Sequence, residues 1–333
     1  LRMQAVEQLE SVLQVTHENL SEVWLEGLFQ DAENWAKDPL LIENVEHLLK
    51  IQQQKNKHQA IRVATLLSSP AQVKIRQFFQ NRIKRHDALG IFIIAPDHYN
   101  LASMRDENVG SLNLISKQRP ERLFKVFEGK DQLVPPIYSD VPLLDKLGNH
   151  VSDYPTMFIL APVRNQAGNI IAAVAIRLDP YAQFSSIPKA SLTGVTVEAY
   201  LFDSKGILLT DTRLAHFMRE KNLLATDKPT ILGIQLKVPG TEPSAEKVNF
   251  TQMAESAIAG NNGSSTESYL DYRGIPVLGV WKWNHKLDIG IATEIDELEA
   301  LAAYRDIEQS IFELTIFVFL LSKTLELCFT NFD

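Results

Sequence analysis

The sequence predicts an α+β protein: a long N-terminal helical region followed by two tandem modules with antiparallel sheets. Three observations predict it. The first third carries apolar residues at helical spacing, and the remainder carries short apolar runs separated by turn residues. One arrangement of strand end, aspartate and helix also occurs twice, as "AIRLDPYAQF" and "ATEIDELEAL". Ala175 stands four before Asp179 as Ala292 stands four before Asp296, and the aspartates lie 296 − 179 = 117 residues apart, the size of one compact module.

In the helical region, Val6, Leu9, Leu13, Thr16, Leu20 and Val23 follow alternating steps of three and four, a short heptad seam. Two readings stand: packing against the rest of the chain, or the seam of a parallel dimer. Asp38-Pro39 stops one helix and starts the next, with Asp38 at the N-cap and Pro39 at the first helical position. Leu41, Val45, Leu48 and Leu49 form the apolar stripe that follows. Ser69-Pro70 repeats the signal ahead of Val73, Phe78, Phe79 and Ile83. The most basic run, "QNRIKRHD" (80–87), reads as the solvated end of this helix.

After Leu89 the texture changes. "GIFIIAP" and "YNLASM" form a hairpin across "DH", and a polar excursion leads to a helix around "PERLFKVFEG" and to "LVPPIYSDV". "YPTMFILAPV" then pairs with "NIIAAVAIRL" across "RNQAG", and "DPYAQFSSI" turns to helix. From Val197 the pattern restarts, with "EAYLF" and "ILLTDT" pairing across "DSKG". "AGNNGSSTES" (259–268) reads as a loop inside this second module. The closing ribbon alternates, with Ile275, Val277, Trp281 and Trp283 on one side and Pro276, Leu278, Val280 and Lys282 on the other. "NHKLD" connects it to a partner strand from Leu287 to Ile295, and both tryptophans read as core. The expected divisions are 1–87, 88–188, 189–310 and 311–333.

At 333 residues the chain has room for two domains, and 45% apolar with 22% charged residues is an ordinary globular composition. A net charge of −8 argues against nucleic acid as a partner, since phosphate binding needs a basic face. One cysteine, Cys328, excludes an internal disulfide and a multi-cysteine metal site. The eight histidines are scattered, with no His-Glu-x-x-His pair, and no Gly-x-Ser-x-Gly elbow, P-loop or Gly-x-Gly-x-x-Gly occurs. No cofactor is expected. The chain opens at Leu1 without methionine and is expected to be a fragment. Near its other end, Leu314 to Leu321 is an apolar run too short to span a bilayer, interrupted beyond by Lys323 and Glu326. It reads either as the truncated start of a membrane helix or as an amphipathic terminal helix.

Several phrases, "ASMRDENVGSLNLI", "LAPVRNQAGNIIAAVAIRLD", "YLFDSKGILLTDTRL" and "DYRGIPVLGVWKWNHKLDIGIATEID", together with the helix and paired hairpins, resemble the double Cache sensor fold over residues 1–310. This PAS-like fold occurs in extracytoplasmic regions of bacterial transmembrane histidine kinases, diguanylate cyclases and related receptors. The resemblance implies a non-enzymatic sensor, tethered to the membrane as a parallel homodimer and binding a small molecule in the membrane-distal module (88–188). It also favours the edge of a second membrane span for "LTIFVFLL". Arg105, Asp106 and Asn108 of the polar excursion, Tyr138, Ser139 and Asp140 of "YSDV", and Phe158 as a pocket floor are the candidate ligand residues. One arginine with two acids suits a carboxylate or an amine. Alternatively, Arg105 pairs with Asp106 or Asp140 to pin loops, and Phe158 is plain core. Arg213 and Tyr272 are expected to support the fold. Amino-acid-binding members carry an arginine shortly before a Trp-Tyr pair, whereas "RPERLFKVFEGK" has no tryptophan, which argues against an amino-acid ligand. Two other readings stay open: a soluble binding protein without signalling output, and a hydrolase, for which a pair of acids such as Asp140 and Asp153 is no evidence, since 41 acids supply such pairs in any sequence.

Overall fold

The computed structural model describes residues 1–54, 58–85, 88–144, 148–190, 192, 194–226, 228–240, 248–302 and 314–317. The expected boundaries at 87/88 and 310/311, Cys328 and most of the terminal apolar run lie outside these residues. Among the described residues no helix is long and apolar enough to cross a membrane.

The chain begins with α1 (Arg2–Glu18), one widened turn (Asn19–Trp24) and α2 (Leu25–Ala36), together about 50 Å of helix. Then come α3 (Pro39–Gln52), α4 (Gln59–Ser68) and α5 (Pro70–Arg85). Asp38 caps α3 as expected, its carboxylate accepting from the Leu40 amide at 2.9 Å. The first module contains β1 (Ala88–Ile94), β2 (Asn100–Ser103), α6 (Leu114–Gln118), α7 (Pro120–Phe127) and β3 (Gln132–Tyr138). It continues through a short ribbon, β4 (Leu143–Leu144) with β5 (His150–Val151), and then β6 (Pro155–Arg164), β7 (Ile170–Leu178) and α8 (Gln183–Ser186). Its main sheet is antiparallel in the order β2-β1-β7-β6-β3. The second module holds β8 (Glu198–Phe202), α9 (Ala215–Glu220), α10 (Gln252–Ile258), β9 (Gly263–Leu270), β10 (Pro276–Asn284), β11 (Ile289–Asp296) and α11 (Glu297–Ala300). Its sheet, also antiparallel, runs β8-β11-β10-β9.

Both sheets are covered on both faces. Ile91, Ile93, Ile159, Val174 and Ile176 of the first sheet, and Leu278, Val280, Ile289 and Ile291 of the second, join one core with the N-terminal helices. The alternate residues face away. Phe92, Phe158, Leu160 and Ala175 pack under α6 and α7, while Tyr200, Phe202, Val277, Trp281 and Trp283 pack under α10 and the long connections. Both tryptophans are therefore core, and the Trp281 indole N–H also donates to Ser256 Oγ at 3.0 Å.

The choice left open for the seam is decided, and three expectations change. Val6, Leu9, Leu13, Thr16 and Leu20 are buried, but against the chain's own sheets, so this seam is not open to a dimer partner. Val23 drops out of the seam, 68% exposed, because the widened turn shifts the helix phase and turns Leu25 and Leu28 inward instead. Residues 263–268, expected as loop, belong to β9. This outer strand is polar and mostly exposed on both faces, which hides its periodicity. "ILLTDT" meets "EAYLF" in only a single bridge, Phe202 to Leu208, because the Thr210 hydroxyl accepts from the Leu201 amide where a ladder carbonyl would stand, and Ile207 bridges Gln235 instead.

Candidate functional site

The site lies on the face of the first sheet turned away from the N-terminal helices. Arg177, near the end of β7, sits between Gly90 of β1 and Phe158 of β6 in the pairing register. The β1–β2 pairing joins Phe92 to Ser103. The ladder ends there, and Arg105 follows two residues on (φ −117°, ψ 137°), near enough for its charge to act on Arg177. Gly90, opposite Arg177, leaves open space: a Cβ placed on it would meet no atom within 4 Å.

Arg177 is 3% exposed, yet its Nε and Nη2 make no hydrogen bond. Asp140 Oδ1 stands 3.7 Å from Nη2, an ion pair beyond hydrogen-bond reach. The guanidinium carbon lies 5.1 Å from the Phe92 ring centre and 5.4 Å from that of Phe158, so aromatic faces supply part of its environment. Burial lowers the Arg177 pKa to about 10; Asp140 opposes the shift and Arg105 adds to it. A desolvated cation with unused donors attracts an anionic acceptor strongly, because burying such groups unpaired is costly.

The residues picked from the sequence divide around this centre. Arg105 and Asp140 contribute to it, and Phe158 is both fully buried core and the surface beneath Arg177. Asp106 does pin a loop, but through Arg76 of α5 at 2.6 Å, not through Arg105. Asn108 is buried, and its carbonyl accepts from Asn100 Nδ2 and Ser111 Oγ, which shapes the excursion. The Ser139 hydroxyl donates to the Val141 carbonyl at 2.6 Å. The Tyr138 hydroxyl reaches the second module, donating to the Leu232 carbonyl at 3.1 Å. Sequence reasoning missed Arg177. Its signal was available, because a lone arginine in the apolar run "NIIAAVAIRL" falls on the same strand face as Ala173 and Ala175.

The corresponding face of the second module is closed by its own residues. Glu294 accepts hydrogen bonds from the hydroxyls of Tyr200 (2.6 Å) and Tyr269 (2.7 Å), and burial pushes its pKa up to about 8. Glu198 accepts from Tyr272 at 2.6 Å and from Thr212, and Arg273 bridges Asp271 and Asp296. Arg213 donates to the carbonyls of Gly194 and Val197, so Arg213 and Tyr272 both brace the fold. Among the described residues no group of three His, Cys, Asp or Glu is placed to hold a metal ion.

No family model matches the sequence, and no curated protein matches it. Among solved structures, it is similar to the ligand-binding domain of the Pseudomonas aeruginosa PAO1 amino acid chemoreceptor PctB in complex with L-Arg. That likeness has a TM-score of 0.51 at 16% identity, over 92% of this chain and 93% of that one. A methyl-accepting chemotaxis protein X is similar with a TM-score of 0.52 at 12% identity, over 89% of this chain and 98% of that one. At such identities the likeness establishes architecture, and with the two sheets and the long helix it gives the conclusion: the chain has the double Cache fold of bacterial receptor sensor domains.

Proposed function

We propose that this chain is the extracytoplasmic ligand-sensing region of a bacterial membrane receptor, and that its first, membrane-distal module (about 88–188) binds a small carboxylate between Arg105 and Arg177. One observation carries the reading: a buried guanidinium with two unmet donor atoms beside the open space at Gly90. A carboxylate would accept from both arginines, and Asp140 is placed to take an ammonium if the ligand carries one. The L-Arg bound to PctB is a ligand of that kind. The action is binding without chemistry. The continuous helix from Arg2 to Ala36 packs on both sheets, so closure around a ligand would change its packing and pass to a cytoplasmic output through the second module (about 189–310). A few kilocalories of differential binding between two packings suffices. Membrane tethering and a parallel homodimer belong to the same reading, with the dimer contact on residues other than Val6 to Leu20.

The test is a thermal-shift screen of the chain against carboxylates, amino acids, amines, nucleobases and sugars. A ligand at about 100 times its Kd adds about 2.7 kcal/mol of stability. The expected result is a shift from carboxylate-bearing compounds that disappears in Arg105→Ala. A shift caused only by uncharged compounds, or a shift by a carboxylate without an amine that persists in Arg105→Ala, overturns the assignment.

A further inference from the structure

A cavity of about 600 Å³ opens between the modules, well within the size of small-molecule sites. It lies among α2, α7, the start of β3 and the β10–β11 turn, away from Arg177 and lined by none of the distal-site residues.

Its walls carry opposite charges, and one of the basic groups has an unmet donor. On one side Glu26 and Glu33 of α2 meet Asp131 at the head of β3. Burial first, and then the neighbouring Glu33 carboxylate, pushes the Asp131 pKa up to about 7. Lys37 compensates part of this charge, pairing with Glu33 at 2.6 Å. On the other side is Arg122 of α7, 6% exposed, with Lys125 and Lys286. Arg122 Nη2 donates across the module boundary to the Leu287 carbonyl at 3.0 Å, but Nε has no hydrogen-bond partner, and Glu121 comes no closer than 3.9 Å.

We infer that this cleft is a second ligand site, taking a small linear zwitterion with its carboxylate on Arg122 and Lys286 and its ammonium on Glu26, Glu33 and Asp131. A simple anion would face the acid wall, and a simple amine would face Arg122; only a molecule with both charges satisfies both. Because Arg122 and Lys286 come from different modules, an occupied cleft ties the two together.

The experiment is isothermal titration of the chain with four linear zwitterions: glycine, β-alanine, 5-aminopentanoate and glycylglycine. N-acetylglycylglycine and glycylglycinamide, each lacking one charge, are the controls. Glu26 and Lys286 are exposed, so Glu26→Gln and Lys286→Gln leave the fold intact. At least one zwitterion should bind, neither control should, and each substitution should weaken binding about ten-fold, while Arg105→Ala leaves it unchanged. Absence of binding by all four, equal binding of a singly charged control, or loss of binding in Arg105→Ala overturns the inference. The last result would assign the heat to the distal site, so the two readings fail separately.

Discussion

Replacing Arg177 with methionine should make the ligand-free chain more stable while abolishing carboxylate binding. The Arg177 pKa stands at about 10 against an ordinary 12.5. At about 1.4 kcal/mol per pH unit, this puts roughly 3 kcal/mol against the charged form at neutral pH, with the attraction of Asp140 already included. Arg177 is 3% exposed, so solvent screening reduces the figure little. Methionine forfeits the cation–π contacts with Phe92 and Phe158, about 1 kcal/mol in all, and fits the site imperfectly, about another 1 kcal/mol. A net gain of about 1 kcal/mol remains. Urea unfolding followed by tryptophan fluorescence should show a higher midpoint with an unchanged slope. The gain should be flat between about pH 6 and 9: the folded pKa is depressed, but below about 10 both folded and unfolded chains hold the proton, and the penalty eases only as pH rises from about 10 towards 12.5. A loss of 2 kcal/mol or more, roughly the cost of breaking a satisfied buried pair, would refute the reasoning by showing that Arg177 holds the fold together.

Three further outcomes follow from the structure. Glu294 has its pKa raised from 4.5 to about 8, so the folded chain keeps a proton that the unfolded chain gives up, and stability falls as pH rises through that window. Asp131, held at about 7, and the raised Glu198 act in the same direction, so Glu294→Gln should lessen the fall of the urea midpoint with pH across the window from about 5 to 8; an unchanged curve refutes the assignment. Arg76→Gln breaks the pair with Asp106, whose side chain is 68% exposed; it should cost less than about 1 kcal/mol and leave ligand affinity unchanged in titration calorimetry. Leu13→Ala, in the seam that packs on the second sheet, should cost about 2–5 kcal/mol by urea unfolding and leave the sedimentation mass unaltered, whereas a lower mass would return the seam to a dimer contact.

The elements that local chemistry dictates were legible. Asp38-Pro39 and Ser69-Pro70 start helices because the cap and the fixed proline φ act over two or three residues, and the hairpin "YPTMFILAPV"/"NIIAAVAIRL" forms as read. What stayed open or was missed depended on partners distant in sequence. The heptad seam has the spacing of a dimer interface, and nothing local says that its holes are filled by Leu278, Val280 and Ile291 of the same chain. Tyr138 and Asp140 are two residues apart on an extended segment, yet one reaches Leu232 of the second module and the other Arg177. Arg105 was found because polar excursions after strands draw attention. Arg177 was missed because both sheet faces are buried, so the alternation that would single it out is masked by isoleucine and valine on the opposite face.

One position in the repeat is used in two opposite ways. Arg177 and Glu294 lie 294 − 177 = 117 residues apart, the same offset as Asp179 and Asp296, and each is a buried ionisable side chain on the face turned away from the N-terminal helices, on the last strand of its sheet hairpin. Each also has a glycine opposite it in the register, Gly90 beside Arg177 and Gly279 beside Glu294. In the second module the space over that glycine is taken: a Cβ on Gly279 would fall on the Tyr269 hydroxyl, which together with Tyr200 satisfies both carboxylate oxygens of Glu294. In the first module the space over Gly90 is open and the donors of Arg177 are unmet. The second module therefore completes its polar site from within, as a settled structural core does. In the first, the same architecture leaves an acceptor to be supplied from outside, and a carboxylate bound there would do for Arg177 what Tyr269 does for Glu294.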